Sequence, residues 1–209
     1  MQHIREPINS ITHLIGMILA MIALPFVFTK SDTLMQLIAV TIFIMGLIGL
    51  YGTSSIYHAL KKAPDTLKKW RKADHIMIYI LIAATYTPIC LIGLKGITGI
   101  ILLSAIWFLT ILGIIFKVLW INMPRKIYTS FYVILGWAAV FAIYPLYKAV
   151  GGIAVLFLAA GGVSYTVGAI VYAKKSKVKI GHFGFHEIFH LFILVGSLCH
   201  FLMIYFYIL

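Results

Sequence analysis

Acid is nearly missing from this sequence: five Asp and Glu among 209 residues, against 17 Lys and Arg. Charged residues of both signs make up only 11% of the chain, less than half the ~25% of soluble domains. No stretch is polar enough, for long enough, to form a soluble domain. Cysteine is equally scarce. Cys90 and Cys199 both lie in apolar runs, where they read as small core hydrophobes and say little about redox compartment. There is no internal repeat and no low-complexity segment. A convincing small-residue cleavage site is also missing behind the first apolar run, which at 11–29 exceeds the apolar core of a typical signal peptide. That run is expected to stay in the protein as a span.

What fills the sequence is hydrocarbon. Hydrophobic residues make up 63% of the chain and the mean hydropathy is +1.06. They come in blocks of about 20 residues, the length that crosses a bilayer as a helix. Seven blocks are expected, at 11–29, 33–60, 74–94, 97–117, 128–147, 150–173 and 185–207. The fold class is therefore all-α: one seven-helix membrane domain over 1–209. Pro25, Pro88 and Pro145 lie late in the first, third and fifth spans, where neighbouring helices can satisfy the freed backbone groups.

The net charge of +12 does not call for nucleic acid. Of the 17 basic residues, 14 fall in the N-terminus and in the loops after the second, fourth and sixth spans, leaving Lys30, Lys95 and Lys148 opposite. By the positive-inside rule the N-terminus is cytoplasmic and the C-terminus external. The same basic clusters can touch anionic lipid headgroups.

Glu6, Asp32 and Asp65 belong to termini or loops and read as solvated charge. Asp74 opens the third span in "RKADHIMIYI", and Glu187 lies in the first turn of the last, where a carboxylate suits the helix N-terminus. His58 ends the second span, and His186 and His190 open the last. Ionisable groups within a membrane are costly and imply function. The expected topology brings His58, Asp74, His186 and His190 to one depth near the cytoplasmic side. His186 and His190, four apart, share a helix face and can chelate one metal. A third ligand from His58 would leave a position open, as in catalytic zinc. Interfacial histidines bonded to backbone or lipid headgroups are the competing reading.

The string HEIFH at 186–190 also matches the zinc-protease pattern H-E-x-x-H. The third ligand of such proteases is missing: the position six beyond His190 is Gly196, and no acid follows Glu187. His200 lies about 15 Å further along the helix, too far to share the metal. A two-haem arrangement through His186 and His200 fails as well, because His58 and His75 are separated by a basic loop and form no matching pair.

Ser54–His58 (S-x-x-x-H), Asp74 at the start of the third span, and His186–His190 followed by His200–Phe201 together resemble the haemolysin III family of bacteria, which is grouped with the progestin and adipoQ receptors and, more distantly, the alkaline ceramidases. The resemblance covers nearly the whole chain. It implies a plasma (inner) membrane protein with zinc held by His58, His186 and His190, and Asp74 oriented toward the zinc-bound water. Ser54 would support the site or polarise the substrate. Only about ten residues precede the first span, so a receptor role that needs a long N-terminal region is not carried over.

Three functions follow as expectations. The first is a zinc-dependent hydrolase of lipid amides or esters, with Asp74 as general base, Ser54 as hydrogen-bond donor, and membrane lipids as partners. The second is a non-enzymatic membrane sensor or homeostasis factor in which zinc is structural. The third is a pore-forming haemolysin, which lacks the polar helix stripe a pore lining needs.

Overall fold

The computed structural model describes residues 4–120, 123–175 and 177–209. The segments assigned to the cytoplasmic side include residues 1–3, 121–122 and 176, which lie outside the described residues. Every regular element among the described residues is helical: α1 (Pro7–Lys30), α2 (Leu34–Ala59), α3 (Pro64–Pro88), α4 (Gly96–Leu119), α5 (Arg125–Gly136), α6 (Ile143–Ala173) and α7 (Phe185–Met203).

Helix starts follow local chemistry. Prolines open α1 and α3, where the missing N–H would have had no partner and φ is already set. Thr33 caps α2, its hydroxyl accepting from Gln36 N at 3.2 Å while Gln36 Oε1 accepts from Thr33 N at 3.0 Å. This reciprocal pair satisfies two otherwise orphaned donors. Ahead of α7, Gly184 N donates to Glu187 Oε2 at 2.9 Å, in keeping with the first-turn role expected of that carboxylate.

The span count differs from expectation. Six continuous helical stretches are long and apolar enough to cross a membrane, and one runs over Arg125–Ala173, 49 residues. The expected fifth and sixth spans are joined without a loop. Helical geometry fails inside that stretch at Gly151 (φ 83°, ψ 170°), a left-handed φ that glycine adopts without steric cost. A second irregularity precedes it. Trp137–Ala142 tightens into a 3₁₀ segment just before Pro145, which has no N–H to donate back to Phe141. Tyr86 of α3 compensates, its hydroxyl donating to Gly136 O and accepting from Ala139 N, both at 2.7 Å. Pro88 likewise sits where α3 widens into the π-helical turn Ile89–Leu94.

Polarity is distributed as a bilayer demands. Large apolar side chains cover the outside, Phe141 at 92% exposure and Leu34 at 71%. The interior holds the polar groups Asn9, His13, Ser54, His58 and His190. With no water-driven force between helices in lipid, close approach through small residues does the packing. A Cβ on Gly196 of α7 would collide with the Tyr165 ring of α6, and one on Gly161 of α6 with the His200 ring of α7. Ser197 joins three helices, accepting from Tyr51 of α2 at 2.7 Å and lying 2.8 Å from the Tyr165 hydroxyl. The chain is thus a multi-pass, all-helical membrane protein.

Candidate metal centre

The ends of α2 and α7 meet at one level. His58 occupies the last turn of α2 and is fully buried; His186 and His190 occupy the first two turns of α7. Their rings form a nearly equilateral triangle, each pair of centroids 4.9 Å apart. One ligand nitrogen from each comes within 4.8 Å of the others, close enough for the three to hold a metal ion.

The protonation chemistry suits that arrangement. His58 Nδ1 lies 2.5 Å from Glu6 Oε2. An ionised carboxylate only accepts, so Nδ1 carries the proton, and in the neutral imidazole Nε2 keeps its lone pair. His58 Nε2 is buried and has no hydrogen-bond partner among the described residues, and the same is true of His190 Nδ1. Buried polar atoms are almost always paired, so two orphaned imidazole nitrogens in a cluster of this size fit a metal. An all-imidazole set of three fits zinc.

Glu6 corrects the reading of it as solvated charge. Its backbone N–H donates to His58 O at 3.0 Å, which lays the start of α1 against the end of α2. The hydrogen bond from His58, helped by Arg5 at 3.1 Å, holds its carboxyl at about 2 against the opposing effect of burial. Asp65 does remain exposed, 3.2 Å from Lys68.

Asp74 and Ser54 arrive from α3 and α2. The Asp74 carboxyl interacts with the Ser54 hydroxyl and with His58. Both Asp74 and Ser54 line a cavity of about 180 Å³. His186 and His190 line the same end, and the cavity runs on past Leu158 and Ile143 to His200. His200 contacts Leu158 O at 3.3 Å, away from the triad. Every expected site residue therefore faces one chamber or the histidine triangle beside it.

A fourth histidine was not anticipated. His13 of α1 is 3% exposed, lines the cavity and has no hydrogen-bond partner for either nitrogen. Its ring lies flat on that of His190, so its face, not a nitrogen, meets the triad. The signal was present in the sequence as Asn9 and His13, four apart at the head of an apolar span.

The whole chain has relatives. It is 40% identical to hemolysin-3 of Bacillus cereus, over 100% of this chain and 94% of that protein. Identity to the hemolysin-3 homolog of Bacillus subtilis (strain 168) is 37%, over 98% and 95%. Monocyte to macrophage differentiation factor of Homo sapiens is 23% identical over 95% of this chain and 82% of its own length. Residues 1–201 match the family described as haemolysin-III related. With near-complete coverage on both sides, the chain belongs to the haemolysin-III-related family.

Proposed function

We propose that His58, His186 and His190 hold a zinc ion and that the protein is a hydrolase of amide or ester bonds in membrane lipids. The observation that carries this reading is the triangle of histidines, two of them buried and each of those with an unpartnered nitrogen, beside a largely apolar chamber. Zinc bound there supplies Lewis acidity and makes water nucleophilic at neutral pH. Asp74 takes the proton of the attacking water and returns it to the leaving group. Ser54 donates to the carbonyl oxygen as negative charge grows on it. The apolar walls, including Leu158 and Ile143, hold an acyl chain and keep bulk water out.

A structural role for zinc is the second reading. It is favoured by the depth of His58 and His190, at most 1% exposed, and by the joining of helix ends far apart in sequence, whose binding energy would be folding energy. A pore is disfavoured by the apolar character of the chamber.

We further infer seven crossings of a bacterial plasma membrane, N-terminus inside and C-terminus outside. A straight 49-residue helix would be about 74 Å long, more than twice the ~30 Å hydrocarbon core. We take the break in helical geometry at Gly151 as the point that divides it into two spans.

The test is metal content by plasma mass spectrometry on detergent-purified protein beside a His186→Ala/His190→Ala variant, followed by a screen of ceramides, lysolipids and phospholipids. One zinc per chain in the wild type, none in the variant and zinc-dependent release of fatty acid are expected. Metal-free, folded wild-type protein would defeat both zinc readings. Zinc without turnover of any lipid class would leave the structural one.

A further inference from the structure

Three features lie outside the roles just given. Arg71 lines the chamber, and Lys117 and Arg125 lie over the rings of Tyr128 and Tyr172 in its wall, but these cations coincide with the ordinary basic flank of inward helix ends. His13 offers two free nitrogens, yet its contact with the triad is through its ring face. The chain of contacts through Glu6 and Asn9 goes furthest.

We propose that the first turn of α1 is a working part of the metal centre: Glu6 is the positioning residue for His58, and Asn9 couples that carboxylate to the helix carrying the other two ligands. This rests on the triad being a metal site. Asn9 is 2% exposed, and its side-chain amide nitrogen lies 3.3 Å from Glu6 Oε2 and 3.0 Å from Glu187 Oε1. An amide has two N–H donors, and here each has a carboxylate to meet. The reversed amide would turn an oxygen toward two anions, so the orientation is fixed by charge. The result is a continuous path from His58 Nδ1 through Glu6, Asn9 and Glu187 to the first turn of α7, the helix that carries His186 and His190.

A carboxylate on the far nitrogen of a ligating histidine fixes its tautomer and ring plane and raises its basicity. Glu6 meets that description at 2.5 Å. Were Glu6 merely the residue before α1, its backbone contact with His58 O and its ion pair with Arg5 would suffice, and its second carboxylate oxygen would have no reason to reach the buried imidazole. Glu187 gains a role here too: it anchors Asn9 as well as capping α7.

The experiment is zinc affinity by chelator competition on full-length detergent-purified protein, with the visible spectrum of the cobalt(II)-substituted form as a reporter of ligand geometry. Glu6→Ala is expected to weaken zinc by about 10- to 100-fold and to alter the cobalt bands. Glu6→Gln, which keeps an acceptor for His58, should recover part of that loss. Asn9→Ala is expected to weaken zinc less than Glu6→Ala, and Asn9→Asp more than Asn9→Ala, because it adds a third carboxylate to the pair. Thermal unfolding of the metal-free proteins checks folding; if Glu6→Ala does not fold, Glu6→Gln and the Asn9 pair carry the test. Wild-type affinity and an unchanged cobalt spectrum in folded Glu6 variants would overturn the assignment of Glu6 while leaving the metal site standing. A wild-type protein that binds no metal would overturn both.

Discussion

The imidazole of His13 lies face to face with that of His190, their centroids 3.7 Å apart and their planes 10° from parallel. Stacking of this kind fixes ring orientation without donating a nitrogen. Replacing His13 by Phe keeps a flat ring, so zinc binding is expected to stay within a few-fold of wild type. Replacing it by Ala removes the support, and a larger loss of affinity is expected. Chelator competition on both variants decides the point: if Phe loses as much zinc as Ala, His13 acts through a nitrogen.

Asp74→Asn separates the two zinc readings. The amide can fill the same space beside Ser54 but cannot accept a proton from water. Full zinc occupancy with lipid turnover reduced by at least 10²-fold is expected, the usual scale for losing a positioned base. Unchanged turnover would remove Asp74 from the chemistry.

Gly196→Ala puts a methyl group into the face of Tyr165, whose hydroxyl is held by Ser197. Overpacking of this kind costs about 1–3 kcal/mol. A lower midpoint of thermal unfolding in detergent, with zinc stoichiometry retained, is the expected signature. A midpoint equal to wild type would show that α6 and α7 separate more easily than their contact implies.

The proposed double crossing, with its break at Gly151, has a direct labelling test. In a chain with Cys90 and Cys199 replaced by alanine, single cysteines at Lys126 and Lys175 are expected to react from the same side of the membrane, the cytoplasmic one. Reaction from opposite sides would make Arg125–Ala173 a single crossing.

The triad was legible in the sequence because bilayer thickness sets a ruler: once spans alternate in direction, His58 and the pair His186–His190 fall at one depth whatever the details of packing. Asp74 follows by the same argument. Glu6 did not, because a residue just before a proline at a helix start has no periodicity to read. Its contact with His58 depends on the start of α1 running antiparallel to the end of α2, with Arg5 N bonded to Ala59 O and Glu6 N to His58 O. His13 was obscured for a different reason. A single imidazole in an apolar helix has many uses, and only the position of α7 shows that it lies on His190. The join of the expected fifth and sixth spans was unreadable because hydropathy marks where a chain is apolar and gives no sign of a break in helical geometry at a lone glycine.

The bridge between Asn9 and Glu187 spans 178 positions of the chain. During synthesis, α1 enters the bilayer first and α7 last, so Glu6 and Asn9 wait through the insertion of every intervening helix before His186 and His190 reach them. On the proposed metal site, loading would therefore wait for α7 to dock. A chain truncated before α7 would keep His58 but lack His186 and His190, so ion capture would report that this late helix has taken its place.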